Sequence, residues 1–270
     1  MTGRSLIASR ALTLGLGLLF GLVVITIYMP IAVMAVFSFN SGRYQTLPFR
    51  QPTLDWYAQL ARDQSFLDGL INSLIIALGA AILATTIGFL AAYAFQKARL
   101  PGKPVFLALI LAPLVVPLML IGIGMRLQLT AMGLQPSLWF VLFGQTVYVL
   151  PLAVLNLRAR LAHVPSNLEE AATSLGASRT RAIVEIVAPA CAPTLIATVL
   201  LTFTFAFDEF VIAYFLTNFQ LTLPIKIWTT LVTGFDPKIN AVGTMVFLFS
   251  LTLGVIAQWV LLLKQPSVGS

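Results

Sequence analysis

Few residues in this chain are equipped for chemistry, and their spacing favours binding and docking over bond making. Asp208 and Glu209 lie side by side in a long apolar run, the only acids within any segment apolar enough to cross a membrane. An ionisable side chain in hydrocarbon costs at least about 2.5 kcal/mol on insertion scales, so such acids face a cavity, a partner or a water path. Counted from Pro193 at about 1.5 Å per residue, the pair falls in the outer half of its segment, where a negative field would favour a cation. A second reading stays open: the helix ends at Phe207, and the pair is solvated at the interface or caps a helix. Cys191 is the single cysteine, which excludes an intramolecular disulfide and suits a small apolar packing residue. His163 has no Cys or His neighbour at metal-ligand spacing, so no metal site is expected and a capping or packing role is. No G-x-x-x-x-G-K-[ST] run is present, so this chain should bind no nucleotide or other cofactor itself.

A second constellation lies in the one long charged loop, about residues 158–190. It reads Glu170-Ala171-Ala172, then Gly176 after three residues, then Ile186 and Pro189. Pro165 followed by Ser166-Asn167-Leu168-Glu169 has the form of a capping box and marks a helix start. From there Leu168, Ala171, Ala172 and Leu175 fall at i, i+3, i+4 and i+7, one narrow apolar face with alanine at its centre. Glu170 and Ser174 flank that face, and Glu169 and Thr173 are expected to point elsewhere. Gly176 should end the helix, because glycine takes a left-handed conformation without a side-chain penalty. Ser178 can then cap a second helix with Ile183, Ile186, Val187 and Ala190 on its apolar side and Arg181 four residues before Glu185.

The elements that must position these residues are membrane helices. With 59% hydrophobic residues, 9% charged residues and a mean hydropathy of +0.96, the chain has more apolar surface than a soluble domain can bury. Six segments have the ~20 apolar residues that a span needs: roughly 11–37, 70–95, 105–125, 137–157, 193–216 and 239–263. The expectation is an all-α integral membrane protein with a single transmembrane domain over residues 1–270. The first segment follows Arg4 and Arg10, as a signal peptide would, yet its apolar stretch is too long and lacks a small-residue cleavage site, so it reads as an uncleaved span.

Lys97, Arg99, Lys103, Arg158, Arg160, Arg179, Arg181 and Lys264 join Arg4 and Arg10 on one side. By the positive-inside rule that side, with both termini and the charged loop, is cytoplasmic. The net charge of +7 follows from this topology, and no basic, aromatic-interleaved module points to nucleic acid. Alanine and glycine crowd the second segment, which should lie inside the bundle, whereas the Leu-, Ile- and Val-rich first segment should be peripheral against lipid. Pro113 and Pro117 should bend the third segment and Pro151 interrupt the fourth, as gating kinks or as plain membrane kinks. Between the first two segments, Thr53 to Arg62 reads as a short interfacial helix with Trp56, Tyr57 and Leu60 on one face.

The loop spacing resembles the EAA loop of bacterial ABC importer permeases, with Ala188 where that pattern has leucine. Asn72-Ser73-Leu74, the Ala-Pro-x-x-x-Pro of the third segment, Phe207 to Ala213, and Leu223-Pro224 followed by Asn240-Ala241 look like the spermidine/putrescine branch, in particular its C-type subunit. Where many members of that branch carry two aspartates, this chain has Asp208-Glu209. The resemblance implies a type I, MetI-like permease that does no covalent chemistry. It also implies partners: a second homologous permease, two cytoplasmic ATP-binding subunits that hold ATP and Mg, and an external substrate-binding protein. Glu170, Ala171, Ala172 and Gly176 would take the docking position, with Leu168 and Leu175 beside them, and the solute would be a polyamine. An amino-acid-like or phosphonate solute is the alternative. An ion-coupled secondary transporter would call for inverted repeats, and none is visible.

Overall fold

The structure is a computed structural model that describes residues 3–44, 46–98, 101–165, 167–234 and 236–262. The Ser166 half of the expected capping box, the charges Arg99 and Lys264, and the side chains of Arg4 and Arg10 lie outside the described residues. Thirteen α-helices follow one another among the described residues: α1 (Gly3–Phe37), α2 (Asp55–Leu60), α3 (Gln64–Lys97), α4 (Lys103–Leu111), α5 (Leu118–Ala131), α6 (Leu138–Leu161), α7 (Asn167–Ser174), α8 (Arg179–Ala182), α9 (Ala188–Ala190), α10 (Ala192–Phe207), α11 (Val211–Leu216), α12 (Leu223–Thr233) and α13 (Lys238–Leu262). Among the described residues the β contact is one isolated bridge, Asn40 with Pro52. Four helices among the described residues are long and apolar enough to span a membrane, α1, α3, α6 and α13, and two bent pairs raise the number to as many as six.

Contacts gather into two compact units, Met1–Asp63 with Thr230–Leu248, and Gln64–Thr229 with Phe249–Ser270. In the first, α1 is apolar all round and its most apolar window is 0% buried, the pattern of a helix made for lipid or another subunit. After α1 the chain folds around the buried Asn40, whose side-chain oxygen accepts from the Arg50 and Gly42 amides at 3.0 and 3.2 Å. The Trp56 indole donates to the Asn40 carbonyl at 2.8 Å, and the Tyr57 hydroxyl meets Ser38 Oγ at 2.7 Å, so the aromatic residues of the expected short helix seat α2 on the chain itself.

In the second unit α3 is the central rod. Ala77, Ala80, Ala81, Ala84 and Ala92 are all fully buried on it, because only small residues let helix backbones close up where there is no water to expel. An added Cβ on Gly88 would lie 2.8 Å from Ala153 Cβ of α6. Cys191 is buried in an apolar cluster with Phe89, Tyr93, Leu157 and Leu161, as its lone occurrence suggested.

The prolines act unequally. Pro113 lies in a 3-10 turn, Ala112–Leu114, and Pro117 has the extended ψ of 131° just before α5. Between them the helix axis turns by 101°, since proline has no amide to donate and disfavours α geometry in the residue before it. Pro151 corrects the expectation of an interruption: α6 runs unbroken through it, with the ring buried. The fifth segment is also corrected. Rather than continuing to Leu216, α10 stops at Phe207, and Asp208, Glu209 and Phe210 separate it from α11. This is the second reading of the sequence, in which the helix ends at Phe207; the apolar flanks, Phe207 and Phe210 to Ala213, could not decide between it and a continuous span.

Candidate functional site

Two stations in the second unit carry the residues of interest. At the first, α7 begins after Pro165 and closes in a Schellman turn: the Ala177 amide donates to the Ala172 carbonyl and the Gly176 amide to the Thr173 carbonyl, both at 3.0 Å. Gly176 takes φ +91°, as the sequence required of it. Ser178 Oγ accepts from the Arg181 amide at 3.3 Å and caps α8, and Arg181 Nε pairs with Glu185 Oε2 at 2.9 Å. A π-helical turn, Ile183–Val187, carries the chain into α9. Arg160 then ties this second helix to α6 by donating to the Ala190 carbonyl at 2.7 Å.

The expected apolar face of α7 divides. Leu168, Glu170, Ala171, Leu175 and Gly176 are exposed, whereas Glu169 and Ala172 are buried, at 8% and 7% exposure. Glu169 and Ala172 stand at i and i+3 and so share the one covered side of the helix, which leaves Ala171 outward. Ala172 therefore packs inward, and Glu169, expected in a capping box and off the docking face, does lie off the exposed face, but its carboxylate goes to other elements. It accepts a hydrogen bond from the Tyr93 hydroxyl. Lys97 Nζ lies 3.0 Å from one carboxylate oxygen and Arg179 Nε 3.6 Å from the other. Burial alone would raise its carboxyl, but Tyr93, Lys97 and Arg179 outweigh burial and hold it below the usual carboxylate range. Sequence reasoning gave this residue a local capping role and missed these partners because they are remote in the chain. The available signal was that Tyr93 and Lys97 stand at i and i+4, on one face at the end of α3.

The second station is the break after α10, where the two acids part. Glu209 is buried, and its carboxylate accepts from the Ile212 amide at 2.7 Å and the Ala213 amide at 3.1 Å, capping α11. Asp208 is exposed and accepts from Ser250 Oγ at 3.1 Å. The helix-cap reading therefore describes Glu209, and the carboxylate at the surface of the chain is that of Asp208. Glu209→Ala is expected to lower the melting temperature of the purified protein clearly more than Asp208→Ala. It strands two buried amides at about 1–3 kcal/mol each, and equal melting temperatures for the two variants would remove the cap from the stability of this segment.

Beyond the break, the chain is held to the start of α3. Asn72 Nδ2 donates to the Leu221 carbonyl at 2.9 Å, and the Leu223 amide donates to Ser73 Oγ at 2.8 Å. The Asn-Ser pair and the Leu-Pro stretch, far apart in sequence, thus meet. A cleft of about 640 Å³ lined by Gln64, Asp68, Asn72, Phe219 and Gln220 opens beside them.

The model of the family described as "Binding-protein-dependent transport system inner membrane component" matches residues 84–269. The spermidine/putrescine transport system permease protein PotC of Escherichia coli K12 is 31% identical over 234 residues, covering 86% of this chain and 88% of that protein. The putrescine transport system permease protein PotI of the same strain is 29% identical over 228 residues, covering 82% and 81%. Among solved structures, a bacterial ABC transporter involved in the import of the acidic polysaccharide alginate superposes with a TM-score of 0.69 at 18% identity, covering 98% of this chain and 99% of that one.

Proposed function

Because this chain belongs to the family of binding-protein-dependent transport system inner membrane components, we propose that it carries a polyamine such as spermidine or putrescine inward across the membrane. It is a permease subunit of an ABC importer, and the observation that carries the substrate reading is the similarity to polyamine permeases over 86% of its length. The working complex adds a second homologous permease, two cytoplasmic ATP-binding subunits that hold ATP and Mg, and an external binding protein that delivers the solute. The charged loop and both termini face the cytoplasm, following the distribution of lysine and arginine.

In this reading the exposed side of α7, with Leu168, Glu170, Ala171 and Leu175, docks on an ATP-binding subunit. ATP-driven closure of that subunit moves the loop, and the permease shifts between inward-open and outward-open states because the two states bind the partner differently. The bend between Pro113 and Pro117 serves as a gate in this reading, supported by the 101° turn of the helix axis there. Asp208 supplies negative charge reachable by a cationic solute, and Glu209 adds to that field while holding α11.

Uptake of radiolabelled spermidine by proteoliposomes containing the assembled complex tests this reading. Asp208→Asn keeps shape and deletes charge, and its polyamine uptake is expected to fall about fivefold, in line with an attraction near 1 kcal/mol across a partly dehydrated path. Unchanged uptake in an assembled variant would take Asp208 out of the pathway. A wild-type complex that hydrolyses ATP but moves no polyamine would overturn the substrate assignment.

A further inference from the structure

We infer that Glu169 is the positioning residue that fastens the docking loop to the inner end of α3, and that α3 carries the loop's displacement to the outer segment around Leu221–Leu223. The inference rests on the proposed docking role of α7 and adds the route by which that docking reaches the membrane.

Three groups from two elements converge on one buried carboxylate: from α3 the Tyr93 hydroxyl, which donates a hydrogen bond, and the Lys97 ammonium, an ion pair at 3.0 Å, and from α8 the Arg179 guanidinium, a longer ion pair at 3.6 Å. The residues on either side of it, Leu168 and Glu170, are exposed. The short α7 is thus bound on one side and open on the other. A buried carboxylate is kept only where it is paired, and charge-assisted bonds fix direction as well as distance, so this tie resists pulling and pushing where an apolar contact would slide.

The helix it grips is suited to carry the motion. α3 has no proline between Gln64 and Lys97 and is locked along its length against α6 by alanine and glycine. From Ser73 to Lys97 is a rise of roughly 36 Å at about 1.5 Å per residue. At that far end Asn72 and Ser73 hold Leu221 and Leu223, in the segment that leaves α11, the helix capped by Glu209. One uninterrupted rod is therefore fastened at its inner end to the docking loop and at its outer end to the stretch beside the acidic break.

The test measures spermidine uptake and ATP hydrolysis together in proteoliposomes of the full complex. Glu169→Gln is expected to lower uptake per ATP hydrolysed at least about fivefold, the lower end of ordinary coupling between sites. The double variant Lys97→Cys with Glu169→Cys should show the same low ratio, and a short bifunctional thiol reagent that restores the tie should recover it. Cys191 is buried and does not compete for the reagent. A wild-type ratio in Glu169→Gln overturns the inference, as does a cross-linked pair that recovers nothing. So does failure of both variants to assemble, which would make Glu169 a folding residue only. If the wild-type complex itself never couples hydrolysis to uptake, the docking reading is what fails.

Discussion

Gly176→Val is expected to reduce ATP-driven uptake by about tenfold or more while leaving the transmembrane core folded. Gly176 sits at φ +91°, where a β-branched residue is an outlier, and an added Cβ there would meet no atom within 4 Å. The penalty is therefore backbone strain without a clash, about 1–3 kcal/mol, and each 1.4 kcal/mol or so is a factor of about ten in the population of the right turn. Misdirecting that turn swings α7 away from α8 and breaks the geometry that aims Leu168, Glu170 and Leu175 outward. Asparagine tolerates the left-handed region, so Gly176→Asn should retain most of the activity. The measurement is substrate-stimulated ATP hydrolysis and uptake by the reconstituted complex. Full activity of the valine variant would show that this turn does not set the docking geometry.

Gly88→Val is expected to have the largest effect on the fold. The new Cβ would stand 2.8 Å from Ala153 Cβ and 3.2 Å from both the Ala153 carbonyl carbon and the Val154 nitrogen, so the obstacle includes the backbone of α6, which cannot rotate aside. Overpacking a core costs about 1–3 kcal/mol when side chains can adjust, and a backbone collision belongs at or above the top of that range. The variant should melt many degrees lower in detergent, or fail to accumulate. Gly124→Ala is the control, because its Cβ meets nothing within 4 Å and alanine is the better helix former. A Gly88→Val protein that melts with the wild type would mean that α3 and α6 are not in close contact in the membrane.

Both predictions turn on glycines that mean different things, and the sequence distinguished them only partly. Gly176 was legible because its meaning is local: it follows an i, i+4 apolar pattern and precedes a serine that can cap the next helix. Gly88 was legible only as one of many small residues on the second segment, which indicated close packing without naming the partner. Its opposite number, Ala153, lies in a helix whose sequence advertised nothing but a proline. That proline misled, since Pro151 was expected to interrupt α6 and is instead accommodated inside a continuous buried helix. A proline's missing amide is a local fact, but whether the helix yields depends on neighbours that hold it straight.

By itself the sequence determined what depends on near neighbours in the chain and on the solvent: membrane helices from apolar length, the helix-turn-helix loop from its caps, the bend between Pro113 and Pro117, and the inward place of α3. Tertiary structure alone decided which face of α7 is covered, that Glu169 and not Glu170 is bound there, and that Asp208 and Glu209 have separate partners. Adjacent residues on a chain diverge by about 100° in a helix and more at a break. Two acids with neighbouring numbers therefore look alike to any sequence pattern until distant donors, such as Lys97, Arg179, Ser250 and the Ile212 amide, are brought to one of them and not the other.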